Sequence, residues 1–200
     1  MIDTLFGSKT RVKLLHLFFN NPGQSFYVRE ITRKIDEQIN SVRRELSNML
    51  EVGVITSDSS DNKLYYQVNQ RYKYYVALRA IFADMPIENR DIDLKFENNS
   101  YEGYVSKIND IEGIRVAIFS GVLIKNSNSP IDIIVAGNVN LTKLKKLVRD
   151  IEKTEGREIN YSVMSYDEFY YRQSVRDKFI MEILDNKHEV VIDKDHILLK

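Results

Sequence analysis

Tyr27-Val-Arg-Glu-Ile-Thr-Arg-Lys-Ile35 is followed, after a short turn, by a second periodic run from Gln38 to Glu51 that stops at Gly53. In the second run Ile39, Val42, Leu46, Met49 and Leu50 share one helix face. Gln38, Asn40, Ser41, Arg43, Arg44, Ser47 and Asn48 share the other, with Glu45 the one carboxylate among them. Val54-Ile-Thr56 and Lys63-Leu-Tyr-Tyr-Gln-Val68 read as two strands joined by the polar loop Ser57-Asp-Ser-Ser-Asp-Asn62. In the second strand Leu64, Tyr66 and Val68 alternate with Lys63, Tyr65 and Gln67. Helix, turn, helix and hairpin is the order of elements that lays one helix in a DNA major groove and a hairpin against the backbone.

Upstream, Ser8 is placed to cap a helix over Lys9 to Asn20, whose Val12, Leu14, Leu15, Leu17, Phe18 and Phe19 form a broad apolar face ended by Asn21-Pro-Gly23. Gly7-Ser8 reads as that cap and not as a phosphate loop, since no strand precedes it and no further glycines follow. Downstream, Tyr72 to Ala83 reads as a helix with only Lys73 and Arg79 charged, hence buried or used as an interface. The tyrosines at 65, 66, 72, 74 and 75 are expected to pack the hairpin against it. Asp84 to Asn99, with Pro86 and many charges, marks the expected boundary.

Beyond it the pattern changes. Tyr101–Asn109 reads as helix, Ile114–Phe119 and Ile131–Ala136 as strands, and Leu141–Thr154 as an amphipathic helix led by Leu141, Leu144, Leu147, Val148 and Ile151. Glu158–Met164 reads as an alternating strand and Tyr166–Leu184 as one or two helices, with strand again at Glu189–Ile192 and Ile197–Leu199. This is a small mixed sheet with helices.

Net charge is zero, but its distribution is not even. Residues 1–83 hold 12 Lys/Arg and 8 Asp/Glu, while the remainder holds 17 and 21, so the basic half is the one suited to meet phosphates. Cysteine is absent, which excludes disulfides and thiolate metal sites and suits a cytoplasmic protein. No apolar run reaches the length of a membrane span, and Asp3, Gly7 and Lys9 interrupt any signal-peptide pattern, so no membrane association is expected. His16, His188 and His196 have no metal-ligand spacing.

Residues 5–70 resemble the winged-helix DNA-binding domains of bacterial and archaeal transcriptional regulators. The resemblance lies in the ordered set Gly7-Ser-Lys-Thr-Arg-Val-Lys-Leu-Leu15, Phe26-Tyr-Val-Arg-Glu-Ile31, Asn40-Ser-Val-Arg-Arg-Glu-Leu46, Glu51-Val-Gly-Val-Ile55 and Lys63-Leu-Tyr-Tyr66. It implies that residues 38–51 form a recognition helix, with Gln38, Asn40, Ser41, Arg43 and Arg44 at base edges. Tyr27, Arg29 and Lys63 would then position the phosphates, with Ser41 shared between the two roles.

Residues 101–192 are similar to the minimal nucleotidyltransferase-like domains sometimes fused to winged helices, through Ala117-Ile-Phe-Ser-Gly121, Ser129-Pro-Ile-Asp-Ile-Ile-Val-Ala-Gly137 and Gly156-Arg-Glu-Ile-Asn-Tyr161. Active members carry Gly-Ser after the first strand and Asp-x-Asp on the next, a carboxylate pair that holds Mg²⁺ against a nucleoside triphosphate. Here the first pair is reversed as Ser120-Gly121, and Pro130 replaces the first carboxylate and leaves Asp132. Glu158 on the neighbouring strand is the remaining acidic candidate. The resemblance thus implies a degenerate cleft of Ser120, Gly121, Asp132 and Glu158, with no metal, no cofactor and no catalysis expected.

The expected architecture is α+β in two domains: a winged helix-turn-helix over residues 1–70, a linker helix and connection over 71–100, and a nucleotidyltransferase-like domain over 101–200. The expected function is sequence-specific, duplex-DNA-binding transcriptional regulation by a homodimer, with the second domain serving assembly or a nucleotide or small-molecule effector. An active metal-dependent nucleotidyltransferase targeted by the winged helix is one alternative. A winged-helix adaptor that docks a protein and never touches nucleic acid is the other. Nucleotide transfer lost on Asp132→Ala distinguishes the first, and salt-insensitive binding the second.

Overall fold

Ser8 starts the first long helix as a side-chain cap: its Oγ accepts the Arg11 N–H at 3.2 Å, pairing one of the amides the first turn leaves open. The computed structural model describes residues 2–60, 62–84 and 101–198, and the chain divides into two compact units, Met1–Arg90 and Asp91–Lys200. The fold is mixed α+β, with nine α-helices and two sheets among the described residues.

In the first unit α1 (Ile2–Phe6) and α2 (Lys9–Asn20) lead to a two-residue strand, β1 (Phe26–Tyr27). Then follow α3 (Val28–Ile35), α4 (Ile39–Val52), β2 (Ile55–Ser60), β3 (Lys63–Val68) and α5 (Tyr75–Phe82). α4 ends where Gly53 takes a left-handed φ of 83°, which only glycine adopts without strain, and the Val54 N–H returns to the Met49 carbonyl at 3.0 Å. The sheet runs β1-β3-β2, antiparallel throughout, with Phe26 opposite Tyr66 and Ser60 opposite Lys63. Leu14, Phe18 and Phe19 of α2, Ile31 of α3, Val42 and Leu46 of α4, and Tyr66 and Val68 of β3 bury together as its core.

Several expectations are corrected here. Tyr27 is not the first residue of a helix; it lies in β1, because its backbone pairs with Tyr65 across the sheet. Ser57 to Ser60 are not loop but strand, since the ladder to β3 needs only backbone groups and tolerates polar side chains on an exposed hairpin. Leu64 lies on the same side of β3 as Tyr66 and Val68, but at the hairpin end it is 44% exposed. α5 is shorter than Tyr72–Ala83 and not buried on all sides: Tyr75 and Phe82 are buried, while Val76 and Ile81 face solvent. Of the tyrosine group, Tyr66 and Tyr75 join the core and Tyr74 is exposed. Most of the expected boundary segment, residues 85–99, lies outside the described residues.

In the second unit α6 (Glu102–Asn109), β4 (Ile114–Phe119), a 3₁₀ turn (Gly121–Leu123), β5 (Ile133–Gly137), α7 (Leu141–Glu155), β6 (Tyr161–Met164), α8 (Tyr166–Ser174), α9 (Lys178–Leu184) and β7 (Glu189–Asp193) follow in order. The sheet order is β6-β5-β4-β7; β5 and β6 are parallel, joined by the α7 crossover, and the other pairs are antiparallel. Both faces of the central strands are covered. Ala117, Phe119, Ile133 and Val135 pack with Ile108 of α6 and Leu144, Val148 and Ile151 of α7. Val116, Ile118, Ile134 and Ala136 pack with Phe169 of α8 and Ile180 and Ile183 of α9. That double burial is why β4 and β5 read as continuous apolar runs. Glu158 does not lie on a strand, because β6 begins only at Tyr161. Leu141, expected on the buried face of α7, is 51% exposed in its first turn. Ile197 and Leu198 form no strand either; their N–H groups cap the Asp193 carboxylate at 3.1 and 2.9 Å.

Candidate nucleic-acid interface

α4 is held on its inner side by Val42, Leu46 and Met49, which leaves Gln38, Asn40, Arg43, Arg44, Ser47 and Asn48 exposed and Ser41 half-buried. Gln38 occupies the cap position but makes no side-chain capping bond. The carboxylate that the sequence places on this polar face, Glu45, turns inward instead and is only 2% exposed. Arg11 of α2 donates to it from Nε at 2.9 Å and Asn48 from Nδ2 at 3.4 Å, while Arg44 Nη2 lies 3.7 Å away. The other carboxylate of α4, Glu51, stands in the last turn, about 15–20 Å along the axis from Asn40. Apart from Ile39 in the first turn, the outward N-terminal half of α4 is therefore amide, hydroxyl and guanidinium.

Burial alone would raise the Glu45 carboxyl, but hydrogen bonds from Ser8 and Arg11 and the Arg11 charge outweigh it and hold the group below the ordinary glutamate value. A folded-state value below the unfolded one stabilises the fold above the ordinary glutamate range and is lost as pH falls through the folded value. Glu45→Gln, which keeps the shape, is expected to cost about 1–2 kcal/mol at pH 7 and progressively less as the pH is lowered from the ordinary glutamate range toward pH 3. Denaturant titrations of both proteins between these pH values measure the difference. A constant gap would remove the ionised carboxylate from the account.

The turn between α3 and α4 is fixed from α2. Lys13 Nζ donates to the Ile35 carbonyl at 2.8 Å and pairs with Glu37 Oε1 at 2.8 Å, and Thr10 Oγ1 donates to Glu37 at 3.4 Å. Asp36 takes a left-handed φ of 50° inside this clamp. The Lys13 ammonium holds the Glu37 carboxyl below its usual range. The presentation angle of α4 is thus set by ion pairs as well as by packing.

Tyr27 and Lys63, distant in sequence, are brought together: Lys63 Nζ lies 5.1 Å above the Tyr27 ring, whose centroid is 5.9 Å from that of Tyr65. Arg29 is exposed on α3, as are Arg33 and Lys34, which sequence reasoning left out. On the hairpin Asp58 faces Tyr65 and lines a shallow hollow of about 260 Å³ with Ser25, Ser60 and Gln67, so cationic character there falls to Lys63. His16 is packed: its Nδ1 lies 2.9 Å from the Phe82 carbonyl and its ring edge-on to Phe82.

In the second unit Ser120, Gly121 and Asp132 come together and Glu158 remains exposed in the segment before β6. Asp132 has no solvent exposure. Its Oδ1 accepts the Val122 N–H and its Oδ2 the Asn160 N–H, each at 2.8 Å, and its own N–H donates to the Asn160 carbonyl at 2.7 Å. Ser120 donates through its N–H to the Asp132 carbonyl at 2.8 Å and through Oγ to the Ile131 carbonyl at 2.6 Å. Gly121 has a φ of 53°, and a Cβ there would collide with Asp132 Oδ1. These residues form a packed joint that ties the end of β4 to the starts of β5 and β6. Each Asp132 oxygen accepts a backbone amide and neither is open to solvent, so a divalent cation could reach the carboxylate only by opening this joint.

A second hollow, of about 220 Å³ between β6, α8 and α9, is lined by Ser162, Met164, Glu168, Arg172 and Phe179. That is below the usual range of sites that enclose a small molecule. Among the described residues no three His, Asp or Glu side chains converge to hold a metal ion, and no helix is long and apolar enough to cross a membrane. No protein family, no curated protein and no solved structure is matched by the chain.

Proposed function

We propose that this chain is a cytoplasmic, sequence-specific duplex-DNA-binding transcriptional regulator that reads its site through α4 of a winged helix-turn-helix unit. The observation that carries the reading is the outward face of α4, polar and cationic, with Glu45 of the helix withdrawn onto Arg11 and Glu37 of the preceding turn paired with Lys13. Such a face matches the donor and acceptor edges of the major groove and the negative potential around them. The succession α2, β1, α3, α4, β2, β3 supports the winged-helix assignment, in which Tyr27, Arg29 and Lys63 would position the phosphates. A homodimer is part of the proposal: a reader this small spans two half-sites by pairing, and Val76 and Ile81 give α5 an apolar outer face.

The second unit is proposed to be a nucleotidyltransferase-like domain without transferase activity, retained for assembly or effector response. The burial of Asp132 among backbone amides supports this reading over the enzymatic one. Selection from a randomised duplex pool at two salt concentrations tests the whole proposal. Enrichment of an inverted repeat, with affinity falling by a log–log slope of about −0.9 per neutralised phosphate, is expected. Binding without enrichment would reduce the protein to a non-specific DNA binder, and no binding at low salt would leave the adaptor reading.

A further inference from the structure

Helical periodicity assigns Ile39 to the core of α4, but the side chain stands outside the cluster that takes Val42, Leu46 and Met49 and is 36% exposed. It lies in the first turn, flanked by exposed Gln38 and Asn40 and one turn before exposed Arg43. Its direction falls between those of buried Leu46, two turns on, and exposed Arg43, one turn on, so Ile39 stands at the border of the outward face, uncovered because it lies in the first turn. Ile39 is an apolar spot within a surface of amides and guanidinium groups.

A lone exposed isoleucine on a protein surface calls for no explanation by itself. Its position does the work here, because the first turns of a recognition helix are the part that approaches base edges. In the major groove every base pair presents donors and acceptors, and the one apolar group is the thymine C5-methyl. Adenine offers N6 and N7 to an Asn or Gln amide on the same groove edge as its partner's methyl.

We propose that Ile39 reads a thymine methyl group, next to an adenine held by Gln38 or Asn40, so that the half-site contains an A·T pair fixed by α4. This rests on the reading of α4 as a DNA-recognition helix. It also separates the ligand from RNA, which lacks the methyl and whose narrow major groove excludes side chains.

The test replaces each thymine of the selected duplex in turn by 2′-deoxyuridine, which removes one methyl and no hydrogen-bonding group. Affinities are measured for the wild-type chain, Ile39→Ala and Ile39→Val. One thymine per half-site is expected at which the wild type loses about fourfold in affinity. At that position Ile39→Ala, weaker on the parent site, should not distinguish thymine from uridine, and Ile39→Val should retain part of the discrimination. Tolerance of uridine at every position by the wild type overturns the proposal and leaves site-specific binding standing. An unchanged uridine penalty in Ile39→Ala assigns the methyl to another residue and overturns it equally. Failure to select any site overturns the DNA reading on which it rests.

Discussion

Arg43→Ala combined with Arg44→Ala is expected to lower affinity for the selected duplex by roughly thirtyfold to twenty-five-thousandfold, the loss of two guanine-reading pairs at about 1–3 kcal/mol each. The fold should hardly respond. Both side chains are exposed, and the Arg44 contact to Glu45, with 72% of the arginine side chain in solvent, contributes at most about 1 kcal/mol. Glu45 keeps its Arg11 partner in the double variant. Fluorescence anisotropy on specific and scrambled duplexes, beside a thermal melt, separates the two effects. Specific affinity should collapse toward the scrambled value, with the melt moving by no more than a few degrees. Equal affinity of variant and wild type for the selected site would remove both arginines from the readout.

Asp132→Ala should do the opposite, damaging the fold in a place where an enzyme would lose only chemistry. The substitution leaves the Val122 and Asn160 amides without their acceptor in a fully buried joint, at about 1–3 kcal/mol for each, or about 2–6 kcal/mol together. A domain of this size has about 5–15 kcal/mol of stability in all. The melting transition of the second unit is therefore expected to fall by 10 °C or more. Asp132→Asn retains one acceptor and sets an amide against the other N–H, so it should be intermediate or as severe. Glu158→Ala, at an exposed position where a polar contact contributes little, should cost at most about 1 kcal/mol. A carboxylate kept for substrate or metal typically leaves stability unchanged or improved when removed. A stable Asp132→Ala protein would return the enzymatic reading to consideration.

What can be read from the chain before any coordinates follows the range of the interactions involved. The three helices around Leu14, Ile31 and Leu46, the Ser8 cap and the Gly53 stop are local, with signals that span a few residues. β1 was not legible, because two residues become a strand only by pairing with β3 nearly forty positions later. Glu45 reads as surface from its own helix, since the arginine that draws it inward is 34 residues upstream. Ile39 reads as core because its spacing to Val42 and Leu46 fits, although the first turn of α4 extends past the elements that cover the rest. Asp132 was legible as an unusual acid but not as a joint: its partners belong to two other segments, Val122 and Asn160. Glu158 reads as strand because the alternation continues upstream of Tyr161, where pairing with β5 begins.

The separation of anchoring and outward residues on α4 also bears on how such a chain can change over generations. Val42, Glu45, Leu46 and Met49 keep the helix in place, and Lys13 holds its leading turn. Gln38, Asn40, Arg43 and Arg44 contribute little to either task. Substitutions at exposed positions that hold no buried contact cost little stability. Under the proposed DNA reading, new contact chemistry at these four positions is therefore accessible by single steps, without prior stabilising changes, and a duplicated copy could drift to a different target while its scaffold stays the same.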